Sequence, residues 1–501
     1  MKKIVIGAVV ALLVLAYPAA TWWTGKQVES RLADNAKQLE EVPFLKVVKR
    51  EFKRGLASST EDVTIELFGG LRQALEQARK DDPAANAAAE VLQPVQLTFR
   101  STIQHGPFAG GKVVAAAADT ELIFDAKTND ALAKAFGDKK PLTARTVFDY
   151  GGAGRTALQS PAMSTTVKGA DGEAVSISWD GMTMDVDFTG DMKRLVMSGK
   201  APKFELKGAK GELMLMSAMT FSADQTRVLD DEPLLYGGKQ RLEIARFEFS
   251  APKAEGEGAK PVAMRMENIV YDADMPIAGE FIDIIGKMGA AKFVIGEQDY
   301  GPVNYDTSFK RMHARTVAGL YRDMVKMYAD PALLAGKPDP SMVLGPMAQR
   351  AQELLKHNPE FSIDRISFKS PQGEALVSAR FALKDATPED FDQLPRLLPK
   401  IDASAKLVLP EAMLAEMGAA RAETPEEKDV QRRMFAMQVQ AFSEQGYVVR
   451  KGEMLESTIV FKDGQLTVNG KAIQPPGAQV QGEPQGQRRA PGSRSTPRKR
   501  P

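Results

Sequence analysis

Hydrophobic positions follow three different periods along this chain, and each period predicts a different kind of element. From Ile4 to Trp23 no residue is charged, and Lys2 and Lys3 precede the run. About twenty residues of helix span roughly 30 Å, one hydrocarbon core. Nine of these residues are Ile, Val or Leu, and their summed preference for a membrane is at most about −3 to −5 kcal/mol. The run predicts a single transmembrane helix within residues 1–25, with Trp22 and Trp23 where indole rings favour the headgroup region. A cleaved signal peptide shares the basic start and apolar core, but the nearest small-residue site is Pro18-Ala19-Ala20, with proline misplaced. A buried core helix is a third reading, disfavoured by the lysine-led N-terminal position. Lys2 and Lys3 favour a cytoplasmic N-terminus, and Lys26 and Arg31 on the other side weaken that bias.

Beyond the run, Lys26 to Glu41 reads as a short helix leaving the membrane, with Val28, Leu32 and Leu39 apolar and Pro43 ending it. The period then falls to two. Val63, Ile65 and Leu67 alternate, as do Leu97, Phe99, Ser101 and Ile103, then Val175, Ile177 and Trp179, then Met182, Met184, Val186 and Phe188. Further runs lie at 204–206, 213–216, 242–249 and 262–266, separated by glycine-containing turns, which is the pattern of meandering antiparallel sheet. Polar residues hold the alternate positions, so the sheet is expected to be covered on one side only. Residues 69–93 read as a helical or loose excursion.

Near Met275 the period lengthens. Phe281, Ile284, Ile285 and Met288 predict an amphipathic helix, Phe309 to Met327 a longer one over roughly 308–329, and Ser341 caps a third through Leu354. Strand patterns resume at 361–368 and 377–383. Thr387-Pro388-Glu389-Asp390 and Thr424-Pro425-Glu426-Glu427 each carry a cap, a proline at the first helical position and acids in the first turn, and the second helix runs to about Gly446. Lys462-Asp463-Gly464-Gln465 predicts a hairpin between two closing strands. The predicted architecture is α+β: an N-terminal transmembrane helix (1–25), a β-rich, mostly antiparallel region (26–275), a helical insertion (276–360), an α+β C-terminal region (361–473) and a disordered basic tail (474–501).

Composition narrows the chemistry. The chain has 501 residues and a net charge of +1, so no global field draws it to nucleic acid. It has no cysteine, which excludes disulfides, thiolate nucleophiles and cysteine-ligated metals. Its three histidines, His105, His313 and His357, have no metal-ligand spacing.

Five motifs in order, Trp22-Trp23-Thr24-Gly25-Lys26, Arg54-Gly55-Leu56 with Ser58-Ser59, His105-Gly106-Pro107-Phe108, Ser370-Pro371-Gln372-Gly373-Glu374 and Gly464 to Gly470, span nearly the whole chain. As an ordered set they resemble the YdgA-like bacterial envelope proteins, which share a domain of unknown function. The resemblance implies an inner-membrane anchor in a Gram-negative bacterium with an exported, periplasmic, β-rich body. It carries no reaction, so no catalytic residue transfers.

The residues of most chemical interest are Arg54, Gly55, His105, Gly106 and Pro107. His105, at a strand end beside a Gly-Pro turn, has the position of a general base, but its partner is not identifiable and a strand-terminating role is the simpler reading. Gly106 to Val113 nearly matches a phosphate loop, yet Val113 stands where Ser or Thr must hold magnesium. No G-x-S-x-G elbow or H-E-x-x-H is present. Asp230-Asp231, and Asp283 with Glu297, read as solvated turn carboxylates. Met182, Met184, Met214, Met216, Met264 and Met266 recur at strand spacing; methionine fills irregular cores and also lines adaptable apolar grooves. No catalytic residue, cofactor or metal is therefore expected. The expected partners are the membrane through the N-terminal helix, a lipid or envelope protein, or a second copy, and not nucleic acid. The role expected is non-enzymatic binding of an apolar ligand; the alternatives are an envelope scaffold and an exported hydrolase built around His105.

Overall fold

The computed structural model describes residues 21, 24–30, 32–33, 45–67, 95–124, 132–168, 172–251, 262–328, 350–419, 422 and 424–473. The expected membrane anchor, the excursion at 69–93, the helix cap at Ser341 and the basic tail lie wholly or largely outside these residues. Among the described residues no helix is long and apolar enough to cross a membrane.

All described strands belong to one sheet of 24 strands, and every pairing in it is antiparallel. A first set comprises β1 (Leu45–Arg54), β2 (Ser58–Leu67), β3 (Val95–His105), β4 (Ala116–Ile123), β5 (Thr143–Phe148), β6 (Gly154–Ser160), β7 (Met163–Lys168), β8 (Ala174–Trp179) and β9 (Met182–Phe188). Long strands follow: β10 (Arg194–Gly208), β11 (Leu213–Arg227), β12 (Tyr236–Ala251), β13 (Val262–Met275), the short β14 (Ile277–Ala278), β15 (Phe281–Ile295), the short β16 (Gln298–Asp299) and β17 (Val303–His313). The last are β18 (Glu360–Ser370), β19 (Gly373–Leu383), β20 (Ile401–Pro410), β21 (Val449–Lys451), β22 (Met454–Lys462), β23 (Gln465–Val468) and β24 (Lys471–Ala472). Neighbours in sequence are neighbours in space almost throughout; β6 pairs with β9, and β10 holds both β9 and β8 on one side. Among the described residues the meander ends at β1 and β24, and the shorter strands β7, β14, β16 and β21 each pair on one side only.

Alternation gives the sheet two unlike faces. On one, the ion pairs Arg100–Asp62, Arg145–Asp119 and Arg241–Asp272 join adjacent strands at 2.7–2.8 Å. Such exposed pairs each contribute at most about 1 kcal/mol; their value is to keep that face in water. On the other face, register rows of mostly apolar residues, with Thr146, Thr156, Gln240 and Thr307 among them, run perpendicular to the strands. One begins at Ser59 on β2, passes Ile103, Ala118, Met197, Ala223 and Ala273, and ends at Val468 on β23. Large fully buried side chains are few, Ile103 and Ile282 heading them. The partly buried ion pair Arg50–Glu61, at 2.6 Å, also lies on this face, at its β1–β2 end.

Among the helices beside the sheet are α1 (Ala314–Tyr328), α2 (Glu411–Ala419) and α3 (Pro425–Gln445). α3 begins as expected, with Thr424 Oγ1 accepting from the Glu427 amide and Gly446 closing it at φ 82°. The hairpin at 462–465 forms as expected, with Asp463 and Gly464 at φ 51° and 75°.

Three helical expectations are corrected. Phe281, Ile284, Ile285 and Met288 form strand β15, paired with β13 and β17. β15 keeps its two-residue alternation, the extra residue of the local bulge lying on β17, where Lys310 and Arg311 face Asp283; Ile284 and Met288 on one side of the strand and Phe281 and Ile285 on the other together give spacings that imitate a helix. The helix expected from 308 starts only at Ala314, because β17 continues through His313, and it ends at Tyr328. Helix in the 276–360 stretch is thus confined, among the described residues, to α1 and residues 350–355. Thr387-Pro388 opens only a short 3-10 turn, Pro388–Asp392, followed by one helical turn, Leu394–Leu397.

Candidate functional site

His105 ends β3 and is almost fully buried, at 2% exposure, as is Ser59 on β2. Its Nδ1 lies 3.1 Å from the carbonyl oxygen of Thr21, and its Nε2 lies 3.0 Å from Ser59 Oγ. A carbonyl only accepts, so Nδ1 carries the proton; Nε2 then accepts, and the Ser59 hydroxyl donates. The imidazole ring is covered by Gly25, where a Cβ would stand 2.7 Å from Cε1. Gly106, at φ 123°, lies against Thr21, and a Cβ there would be 2.9 Å from Thr21 Oγ1. The helical segment containing residues 24–30 rests on the sheet beside this contact: Val28 and Leu32 pack on Ile103, Ala116 and Ala118, and Arg54 bonds Glu29 at 3.1 Å. Gly55 is held tightly by its own turn, with a Cβ only 2.4 Å from the Ser58 carbonyl oxygen.

Arg54, Gly55, His105 and Gly106, far apart in sequence, thus meet at one junction, and Thr21, Gly25 and Ser59 complete it. Pro107 continues the chain into a turn closed by mutual backbone bonds between Ala109 and Lys112; that turn is the stretch resembling a phosphate loop. Ser59 and His105 have the hydrogen bond of a nucleophile and its base, but both lie under the helix without access to solvent. Burial pushes the His105 imidazole below its usual pKa; the Thr21 carbonyl opposes this, and the Arg54 charge adds to it.

The second region is the middle of the apolar face. Phe221, Leu242, Tyr271, Met288, Tyr305 and Ile366 lie opposite one another on six successive strands. Tyr271, Met288 and Tyr305 are 39%, 48% and 47% exposed. A second row runs Trp179, Phe204, Met216, Phe247, Met266 and Phe293. Between the rows each strand shifts from one apolar parity to the other: Met219 and Phe221 against Met214 and Met216 on β11, Ile269 and Tyr271 against Met264 and Met266 on β13. The shift falls at Ala218 and Asn268, both left-handed, at φ 48° and 52°. Tyr300 makes ring contacts with Phe293 of the second row and with Phe368, which pairs with Val303, at 6.4 Å each. That shared contact places both parities on one face. The six methionines singled out by their spacing are half-buried, neither sealed in a core nor free.

At one margin of this face α1 leans over the sheet and leaves a cavity of about 600 Å³, lined by Leu234, Tyr236, Met275, Val317, Tyr321 and Gln240. That is an ordinary volume for a small-molecule site. The acidic pair Asp230-Asp231 is not a dyad: Asp230 meets Lys193 and Asp231 meets Arg315, each at 2.7 Å, and Glu232 meets Arg322. Asp283 accepts from the Arg311 amide at 2.8 Å. His313 and His357, unconnected in sequence, stack at 4.0 Å, and both rings contact Phe281. Burial first, and the facing His313 second, lower the His357 pKa.

The face and the junction were missed in sequence for one reason: their partners are distant. Ser59 and Thr21 lie 46 and 84 residues from His105. Leu242 to Phe249 was visible as a strand, but its change of parity hid which side chains share a face.

Comparison with known proteins adds a family. The profile of a family described as bacterial protein of unknown function, DUF945, matches residues 1–476. Protein YdgA of Escherichia coli (strain K12) is 22% identical over 508 aligned positions, covering 94% of this chain and 95% of that protein. No solved structure matches.

Proposed function

Because the chain belongs to the DUF945 family of bacterial proteins of unknown function, we propose its role from the sheet itself: a non-enzymatic envelope protein whose apolar face binds the acyl chains of a lipid. In this reading residues 1–25 form a single inner-membrane anchor and the body lies in the periplasm. The uncharged run of Ile4 to Trp23 supports the anchor. The observation that carries the binding reading is the row Tyr271, Met288 and Tyr305, large apolar side chains at the middle of a continuous apolar face and yet 39–48% exposed. An amphipathic sheet has to bury its apolar side against something, and here all described strands lie in the same sheet. A sheltered acyl chain gains roughly 0.8 kcal/mol per methylene before the costs of ordering it. Methionine and aromatic rings accept chains of varied shape without a fixed polar partner.

Lipid mass spectrometry on the full chain, purified from the envelope of a bacterial host, tests this. The wild type should carry acyl lipid, and the triple variant Tyr271→Asp, Met288→Asp, Tyr305→Asp at most half as much, since a carboxylate there repels the chain. An empty wild-type protein, or an equal load in the triple variant, would refute the reading.

The Ser59–His105 hydrogen bond favours a second reading, an exported hydrolase that exposes this pair when the helix lifts. Ester-substrate turnover lost on His105→Gln, with an unchanged melt, would establish it.

A further inference from the structure

We infer that the apolar face is a conduit: acyl chains enter it at the strands holding the membrane-exit helix and move along the sheet, strand by strand, toward β19 and β20. The inference rests on the acyl-binding reading and adds direction and transport to it.

The first support is continuity. Two adjacent rows cross the sheet from β5 to β19, one through Met197, Ala223 and Ala273, the other through Phe221, Tyr271 and Tyr305. Over those strands neither contains a charged residue. Charges on the same strands lie mostly at the positions between, on the opposite face; Arg227, at the end of β11 and against the Tyr236 ring, is on the apolar side but off both rows. An acyl chain sliding along the rows therefore never has to desolvate an ion, the barrier that would trap it.

The second support is the shape of the track. The first row is mostly small side chains, Ala223, Ala273, Gly286, Thr307 and Ala379 among them, with Met197, Gln240 and Ile363 as its larger members. The second carries the large half-exposed ones. A low floor beside a wall of flexible Met and aromatic groups leaves room for a chain without fixing it in one pocket. At about 4.8 Å per strand the rows from β2 to β23 follow a path of about 80 Å, several times the length of one acyl chain, more than a single bound lipid requires.

The third support fixes one end. Thr21, in the last turn before the uncharged run ends, is bonded to His105, and Val28 and Leu32 rest on Ile103 and Ala118 of the same face. From there Phe148 touches Phe188 edge-on at 5.7 Å, and Phe188 pairs with Leu195. The apolar face thus begins where the chain meets its uncharged segment.

Photocrosslinking in the envelope tests the conduit. The photoreactive analogue p-benzoylphenylalanine replaces Phe188, near the exit helix, or Phe381, on the same face of β19, in the full chain. Lipid adducts are read by mass spectrometry, with and without Met288→Asp on the strand between. The block should leave adducts at 188 and reduce those at 381 tenfold or more. Undiminished adducts at 381 overturn the conduit and leave acyl binding standing. Retention at 381 with loss at 188 overturns the outward direction. No adduct at either site in the unblocked chain overturns acyl binding itself. Should Met288→Asp lower the melt, Tyr305→Asp supplies a second block, and pulse-labelled lipid in the unblocked chain decides: adducts must form at 188 before 381, and simultaneous labelling overturns transport.

Discussion

Acidification should loosen the junction between the exit helix and the sheet, and His105 should account for a measurable part of the loss. The folded pKa of His105 is depressed from 6.5, chiefly by burial, and that of His357 likewise. Below pH 6.5 the unfolded chain takes up protons that the folded chain refuses. Stability is therefore complete above 6.5 and falls as pH drops, by about 1.4 kcal/mol per pH unit for each such group until its folded pKa is reached. Carboxylates do not obscure this window. Those with depressed folded pKa values, Asp390 at about 2 through Lys400 among them, lose their contribution only below the unfolded carboxylate range, about pH 4. In His105→Gln the amide oxygen can accept from Ser59 and the amide nitrogen can donate to Thr21, so the contacts partly survive without a titrating ring. Urea unfolding of the detergent-solubilised full chain, followed by circular dichroism between pH 5 and 8, should show a slope below pH 6.5 roughly half that of the wild type, the remainder belonging to His357. Ser59→Ala, which leaves Nε2 buried without a donor, should cost about 1–3 kcal/mol at pH 7.5. An identical slope in His105→Gln and wild type would mean that His105 is not held neutral by burial, and the junction as described would be wrong.

Gly25→Ala should destabilise the same contact by about 1–3 kcal/mol, because its Cβ meets the His105 ring at 2.7 Å; Gly418→Ala, with open space around it and a helical setting, should be neutral or stabilising, and equal melts for the two would sink the argument. Intact-mass measurement of the mature protein should find the N-terminal residues still attached, since Pro18-Ala19-Ala20 is a poor cleavage site; loss of about the first 20 residues would show a cleaved signal instead.

How much of this was legible in sequence follows from how local each cause is. α3 was legible because Thr424, Pro425, Glu427 and Gly446 act within a few residues of one another. The 462–465 hairpin was legible because its turn demands left-handed conformations that Asp and Gly tolerate. Strand β3 was legible from plain alternation. β15 was not, because it carries apolar residues on both sides, Ile284 and Met288 on one and Phe281 and Ile285 on the other, and that spacing is also helical. The junction was legible only as separate motifs: His105-Gly106 looked like a strand end, and Ser58-Ser59 and Thr24-Gly25 stood apart in the ordered set of the family resemblance. What joins them is a hydrogen-bonded ring that no spacing encodes. The continuity of the apolar face was hidden for the related reason that its parity changes at Ala218 and Asn268.

Between an open face and an open edge, the edges are the guarded part of this molecule, and that bears on whether the sheet serves a ligand or a second copy. Unpaired edge strands invite further strands, and proteins guard them with charge or by keeping them short. β1 carries Lys46, Lys49, Arg50, Lys53 and Arg54 among its ten residues, and β24 is two residues long. Edge-to-edge growth of the sheet at β1 or β24, the simplest route to a self-associating scaffold, is thereby disfavoured; the six-residue β7, which also pairs on one side only, is the less guarded edge. No comparable guard stands on the apolar face: from β5 to β19 its two central rows lack any charge, and its largest side chains are half-exposed. A surface that carries charge along its first edge and none along its two central rows from β5 to β19 is suited to a partner that lies flat on it and makes no backbone hydrogen bonds. An acyl chain meets that description, and a strand from another protein does not.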